Sequence, residues 1–210
     1  ALSPYPDGLL SDYAAGGVNA VWLQGTLYTL VPWLGENEPY SDGWRRRQEN
    51  LRGLCRRAGQ YGIKVFLYLN EPRNMPHDFF ARHPEWQGSR FARMSAMCTN
   101  NRSLLRALEN GVERLFGAVP ELGGAFSITM SENLSHCLSK FENNCPHCAG
   151  RSAADVIAEI NSAIETGMHR AAPNARFIAW NWGWNPAWTS RVIESLPAGA
   201  TVMATSETAL

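Results

Sequence analysis

The stretch Gly124-Ala-Phe-Ser-Ile-Thr-Met-Ser-Glu-Asn133 decides how this chain reads. A run of strand character ends on a carboxylate, Glu132, at the point where loop-forming residues begin. The same design recurs elsewhere. Residues 63–69 (Ile-Lys-Val-Phe-Leu-Tyr-Leu) lead into Asn70-Glu71-Pro72-Arg73, residues 176–180 into Asn181-Trp182-Gly183-Trp184, and residues 201–205 into Ser206-Glu207. Polar and aromatic side chains at the C-terminal ends of successive parallel strands gather at one rim, and that rim is where a (β/α) barrel carries its chemistry.

Strands are expected at 18–23, 63–69, 125–130, 177–182 and 202–205, each dense in apolar residues as strands covered on both faces must be. Helical periodicity fills 44–61, 103–119 and 152–171; in the last, Val156, Ile157, Ile160, Ile164 and Met168 form one stripe. Ser152 with Asp155 resembles an N-terminal capping box, and Pro173 follows as a stop. This alternation predicts βαβ units in a parallel sheet. Residues 9–17 read as a helix ahead of the first strand, and no helix follows the last. The count fits a single domain over 1–210, a (β/α)8 TIM-type barrel lacking its first strand and its closing strands, with the remainder of the barrel as a partner if the chain is a fragment. Residues 70–101, broken by Pro72, Pro76 and Pro84, read as a long irregular excursion forming one wall of a cleft.

Composition narrows the partners. The 210 residues are 45% apolar and 18% charged, with nineteen basic residues against nineteen acidic, so no net field draws the chain to nucleic acid or an acidic membrane. Arg45-Arg46-Arg47 and Arg56-Arg57 read as a solvated helix face. No apolar run approaches the ~20 residues of a membrane span, and the N-terminus has neither a basic start nor a hydrophobic signal core. The compartment stays open. Eight Trp, six Tyr and eight Phe supply flat apolar rings, which suit sugar faces but also fill cores. One or two of Trp22, Trp182 and Trp184 are expected to stack on sugar, and the expected partner is a carbohydrate.

Tyr5-Pro-Asp-Gly-Leu-Leu ahead of Gly17-Val-Asn-Ala-Val-Trp22, then Gln60 through Pro72, then Cys98-Thr-Asn and a helix leading into Phe126-Ser-Ile-Thr-Met-Ser-Glu132, resemble in order and spacing the catalytic barrel of family 20 glycoside hydrolases. Neighbouring barrel families of bacterial carbohydrate-processing proteins are similar too. The resemblance covers nearly the whole chain through short motifs. It implies a hydrolase of β-linked sugars, of hexosaminidase type, needing no cofactor for catalysis, in which Glu132 protonates the leaving glycosidic oxygen. Ser131 stands where that family has the Asp that orients the substrate acetamido group. A second carboxylate then comes from another strand, Glu71 or Glu207, or the reaction differs, or the barrel binds carbohydrate without cleaving it. A competing register reads Asn70-Glu71-Pro72 as the acid/base signature of the large retaining-glycosidase clan, with Glu207 as nucleophile. In either register oxocarbenium chemistry needs a protonated acid and an ionised partner.

His136-Cys137 and Cys145-Pro146-His147-Cys148 place three Cys and two His close after the Glu132 strand. Cys137, Cys145 and Cys148 have the ligand type and spacing of a structural zinc site, with His136, His147 or a distant residue as the fourth ligand. A disulfide or packed reduced thiols are the alternatives. Convergence of the three sulfurs is expected under the first two. Cys55 and Cys98 read as small buried side chains. Gln24 and Tyr28 are placed to hydrogen-bond sugar hydroxyls, Asn70, Ser131 and Asn133 are further substrate-binding candidates, and Arg73 is placed to orient a carboxylate or bind an anionic sugar. His77 and His83, beside Asp78 and Glu85, offer a His-carboxylate contact to sugar hydroxyls or, on the preferred reading, no special role, and His169 reads as a helix C-terminal partner.

Overall fold

The computed structural model describes residues 3–139 and 144–204. Helix α1 (Asp7–Ala15) leads into strand β1 (Ala20–Gly25); a short α2 (Leu27–Leu30) and the long α3 (Trp44–Gln60) bring the chain to β2 (Lys64–Leu69). The excursion follows, with β3 (Met75–Pro76), α4 (Phe79–Arg82), β4 (Gln87–Phe91) and β5 (Met94–Met97). After α5 (Arg102–Ala118) come β6 (Gly124–Ile128), α6 (Ala153–Ala171), β7 (Arg176–Trp180), α7 (Pro186–Ser195) and β8 (Thr201–Met203).

Strands β1-β2-β6-β7-β8 form one sheet in that order, every pairing parallel. All five expected strands are present, shifted by one or two residues at their ends, and the expectation of a parallel α/β sheet holds. Sequential strands lie side by side because each returns through a crossover on one face of the sheet. That face is sealed: Val65, Leu67, Leu69, Phe177 and Ala179 are buried against the apolar stripes of the helices, including Leu104, Leu108, Val112 and Leu115 of α5 and the anticipated Val156, Ile157, Ile160, Ile164 and Met168 of α6. The opposite, concave face is not. Trp22 remains 54% exposed, and Phe66, Tyr68, Ile178, Trp180 and Met203 are half-buried.

Three local readings are corrected. The excursion is not irregular, since β3, β5 and β4 form a small antiparallel sheet in which Phe91 faces Met94 across a tight turn, with Ala92 at a φ of 50°. Strands of two to five residues containing Gln, Gly, Ser and Arg carry too little apolar alternation to be seen in sequence. Helix α7 was not expected, although Asn185-Pro186 announces it: the Asn185 side chain accepts from Ala187 N at 2.9 Å, with proline at the first helical position. Ser152 precedes α6 but makes no side-chain cap.

Candidate functional site

Strand alternation sorts the side chains at the rim. Along β2, Phe66 and Tyr68 lie on the concave face while Val65, Leu67 and Leu69 face the helices, so Asn70 continues the first set and Glu71 the second. Glu71 is 1% exposed. One of its oxygens accepts from Leu27 N at 2.7 Å and the other from Arg73 N at 3.0 Å, so it fastens the start of α2 to the strand end. Burial pushes its carboxyl up to about 7, opposed by the backbone N–H donors of Leu27 and Arg73 and by the Arg73 charge. The Glu71–Pro72 peptide is cis. Asn70 donates to Ile128 O at 2.6 Å, tying the end of β2 to that of β6, and its Oδ1 is buried with no partner among the described residues.

Glu132 stands four residues beyond β6, and its carboxylate is exposed. Its neighbours are built from two strand ends. Arg73 donates through Nη2 to Asn133 Oδ1 at 2.9 Å, and Asn133 N donates to Ser131 Oγ at 3.3 Å. The Tyr68 hydroxyl hydrogen-bonds Ser131; burial raises the Tyr68 pKa and the Ser131 contact lowers it. Glu132, Ser131, Asn133, Arg73 and Tyr68 therefore form one polar group at the C-terminal edge of the sheet.

Beneath it runs a band of rings. Trp22 meets Phe126 edge-on at 5.5 Å, Tyr68 stacks on Phe126 at 5.3 Å, Phe126 meets Trp180 at 6.1 Å, and Trp180 meets Trp182 at 5.5 Å. Trp182 is 44% exposed and sits at the rim. Gly183 beside it adopts a φ of +73°, and any Cβ there would collide with the Met130 carbonyl, so the turn after β7 is pressed onto the β6 loop. Trp184 does not share this exposure: it is 7% exposed and its Nε1 donates to Thr129 Oγ1 at 2.9 Å, a core position that corrects its reading as a stacking residue. Gln24 is exposed and lines a cavity of about 790 Å³ along β1, where α3 contributes Arg46, Arg47 and Arg57. Glu207 lies outside the described residues.

Sequence reading missed Tyr68, Phe126 and Trp180, which counting back in twos from the rim along each strand would have placed on the concave face. His83 is stacked on Phe79 and Trp86 and lies 3.4 Å from the buried Glu38. His77 contacts Met94 O. His169 bridges Glu165 and Ala175 O near the end of α6.

The cysteines converge as expected, with an unforeseen fourth member. The sulfurs of Cys98, Cys137, Cys145 and Cys148 all lie within 4.8 Å of one another, and all four residues are buried. Cys98, read as a small buried side chain, is the distant partner. His147 is exposed and outside the cluster; His136 is buried with Nδ1 accepting from Leu138 N, and burial holds its pKa down to about 4. Cys55 stands apart on α3.

A scan against family models finds no match, and a comparison with curated proteins finds none. Among solved structures the chain is similar to a mutant of the Thermobaculum terrenum O-GlcNAc hydrolase, with a TM-score of 0.58 at 14% identity over 97% of this chain and 39% of that one. It is similar to a GH138 enzyme targeting pectin rhamnogalacturonan II, with a TM-score of 0.57 at 12% identity over 94% of this chain and 22% of the other. The α-amylase of Geobacillus thermoleovorans gives a TM-score of 0.57 at 11% identity over 92% and 43%. At such identities the likeness is one of fold: the chain spans less than half of each of these structures and shares with them a parallel α/β architecture.

Proposed function

We propose that this chain carries the catalytic rim of a glycoside hydrolase acting on β-linked sugars, with Glu132 as general acid. The observation that supports this most is the pairing, at one sheet edge, of an exposed strand-end carboxylate with the Arg73–Asn133–Ser131–Tyr68 hydrogen-bonded group and an exposed ring, Trp182. Glu132 donates its proton to the glycosidic oxygen as the bond to the anomeric carbon breaks, and the developing positive charge on the sugar ring needs an ionised group on its other face, ~5 to 10 Å away. Trp182 and Trp22 offer flat apolar faces. Asn70, Gln24, Arg73, Ser131 and Asn133 are the hydroxyl partners. A hexosaminidase type of substrate is the narrower form of the proposal.

Glu71 is assigned a positioning role. Both its oxygens are committed to backbone N–H groups on the helix side of β2, which favours the reading with Glu132 over the one with Glu71 as acid/base and Glu207 as nucleophile. Glu207 stays the candidate for the ionised partner. The half-exposed concave face, with its ring band, supports a further part of the reading: this sheet is part of a (β/α)8 barrel whose remaining strands cover those rings. The test is a panel of chromogenic β-glycosides offered to the full-length protein. Turnover that is lost in Glu132→Gln with an unchanged melting temperature supports the proposal, and undiminished turnover in that variant removes Glu132 from it. Micromolar sugar binding with no turnover in either protein favours the binding-only barrel, a reading motivated by Ser131.

A further inference from the structure

Outside the rim, the most concentrated chemistry among the described residues is the set of four sulfurs. We propose that Cys98, Cys137, Cys145 and Cys148 are the complete ligand set of one tetrahedral, structural metal ion of the zinc class. The geometry carries this. A zinc–thiolate bond of about 2.3 Å sets tetrahedral sulfur–sulfur edges of about 3.8 Å. Cys98 Sγ is 3.7 Å from Cys145 Sγ and 3.7 Å from Cys148 Sγ, and all four sulfurs fit within 4.8 Å. A disulfide chooses one partner at about 2.0 Å; Cys98 stands equally far from two.

The surroundings agree. The four cysteines form a buried cluster of their own, separate from the main hydrophobic core, so they are not filling gaps in it. Cys148 N donates to Cys145 O at 3.1 Å, closing the Cys-x-x-Cys turn that sets two sulfurs on one side of a loop. The Ser89 backbone N–H donates to Cys137 Sγ at 3.4 Å, a bond that favours a thiolate. Any side chain at Gly88 would collide with the same sulfur. No fifth position is needed, because four protein thiolates close the shell; the site is structural and has no open place for substrate.

The ligands come from two separate parts of the fold. Cys98 directly follows β5 of the small antiparallel sheet, in the short link to α5, whereas the other three belong to the connection between β6 and α6. Ser89 Oγ donates to Cys137 O, and Arg90 exchanges two backbone bonds with the Asn144 side chain across the same seam. The ion would lock the excursion after β2 onto the loop that carries Glu132, five residues ahead of Cys137. Each thiol loses its proton on binding, so occupancy falls in acid.

The experiment is metal analysis of the full chain purified without chelator, together with cobalt substitution under reducing conditions. The expected result is about one zinc per chain, intense thiolate-to-cobalt charge-transfer bands with tetrahedral visible bands, and loss of both in Cys98→Ser while Cys55→Ser keeps them. Because Cys98→Ser could unfold the seam, the unaltered protein's cobalt spectrum is read independently of it. Absence of metal and of the cobalt bands after reconstitution overturns the proposal, whether mass spectrometry then finds two disulfides or four free thiols. So does full metal content in a folded Cys98→Ser. None of these readouts depends on glycosidase activity.

Discussion

The ends of β2 and β6 both deliver a glutamate to the same rim, and the fold treats the two in opposite ways. Glu71 points to the helix layer, buried, with each carboxylate oxygen held by a backbone N–H and its carboxyl pushed up to about 7. Glu132 has passed beyond the strand into a loop and stands in solvent beside Asn133. Strand parity makes the difference: an even step from Tyr68 reaches Asn70 on the concave side, and one more residue turns Glu71 under α2. A strand-end carboxylate is thus a functional candidate only once its face is known.

The largest expected effect is on turnover. Glu132→Gln should lower kcat by about 10²- to 10⁴-fold, the usual contribution of general acid catalysis, while shifting unfolding free energy by no more than about 0.5 kcal/mol, as for other exposed positions. Next comes the contrast between the two tryptophans after β7. Trp184→Ala should destabilise the fold by about 3 to 5 kcal/mol, because it empties a buried site and strands Thr129, and denaturant unfolding reads this directly. Glu71 gives the third effect. Its native carboxyl keeps its proton up to about 7, whereas the unfolded chain releases it near the ordinary 4.5, so the native state binds more protons between these values. Stability should therefore fall as pH rises through that window, by about 3 kcal/mol in all. Glu71→Gln should flatten the slope between about pH 4.5 and about pH 7; an equal slope in that variant places the titration elsewhere. The smallest effect belongs to Trp182→Ala, an exposed ring whose loss should cost about 1 kcal/mol of sugar stacking, read as a several-fold rise in KM at nearly constant kcat.

Much of this was legible in the residues, for identifiable reasons. The five parallel strands announced themselves because strands covered by helices must be apolar, and β2 and β7 show it from their second residue onward. The Cys-x-x-Cys turn and Cys137 were readable from local spacing. Cys98 was not, because 39 residues separate it from Cys137 and only the tertiary pairing of β5 with β4, and of β4 with the β6–α6 loop, brings it home. The small sheet was hidden by its short, polar strands. Trp182 and Trp184 differ by one turn of backbone at Gly183, so composition gives them the same promise while burial gives them opposite roles.

Glu132 acting as a proton donor makes turnover depend on the leaving group, and that dependence is the measurement that tests it. Aryl glycosides whose phenols span a wide range of acidity would be compared in the unaltered full-length protein, Glu132→Gln and Glu71→Gln. A proton donor matters most for basic leaving groups and least for a dinitrophenolate, which departs without help. The expected result is a steep dependence in Glu132→Gln, with activity approaching that of the unaltered protein on the dinitrophenyl glycoside, and a shallow one in Glu71→Gln. A uniform loss across the series in Glu132→Gln, or the steep dependence appearing in Glu71→Gln instead, would contradict it.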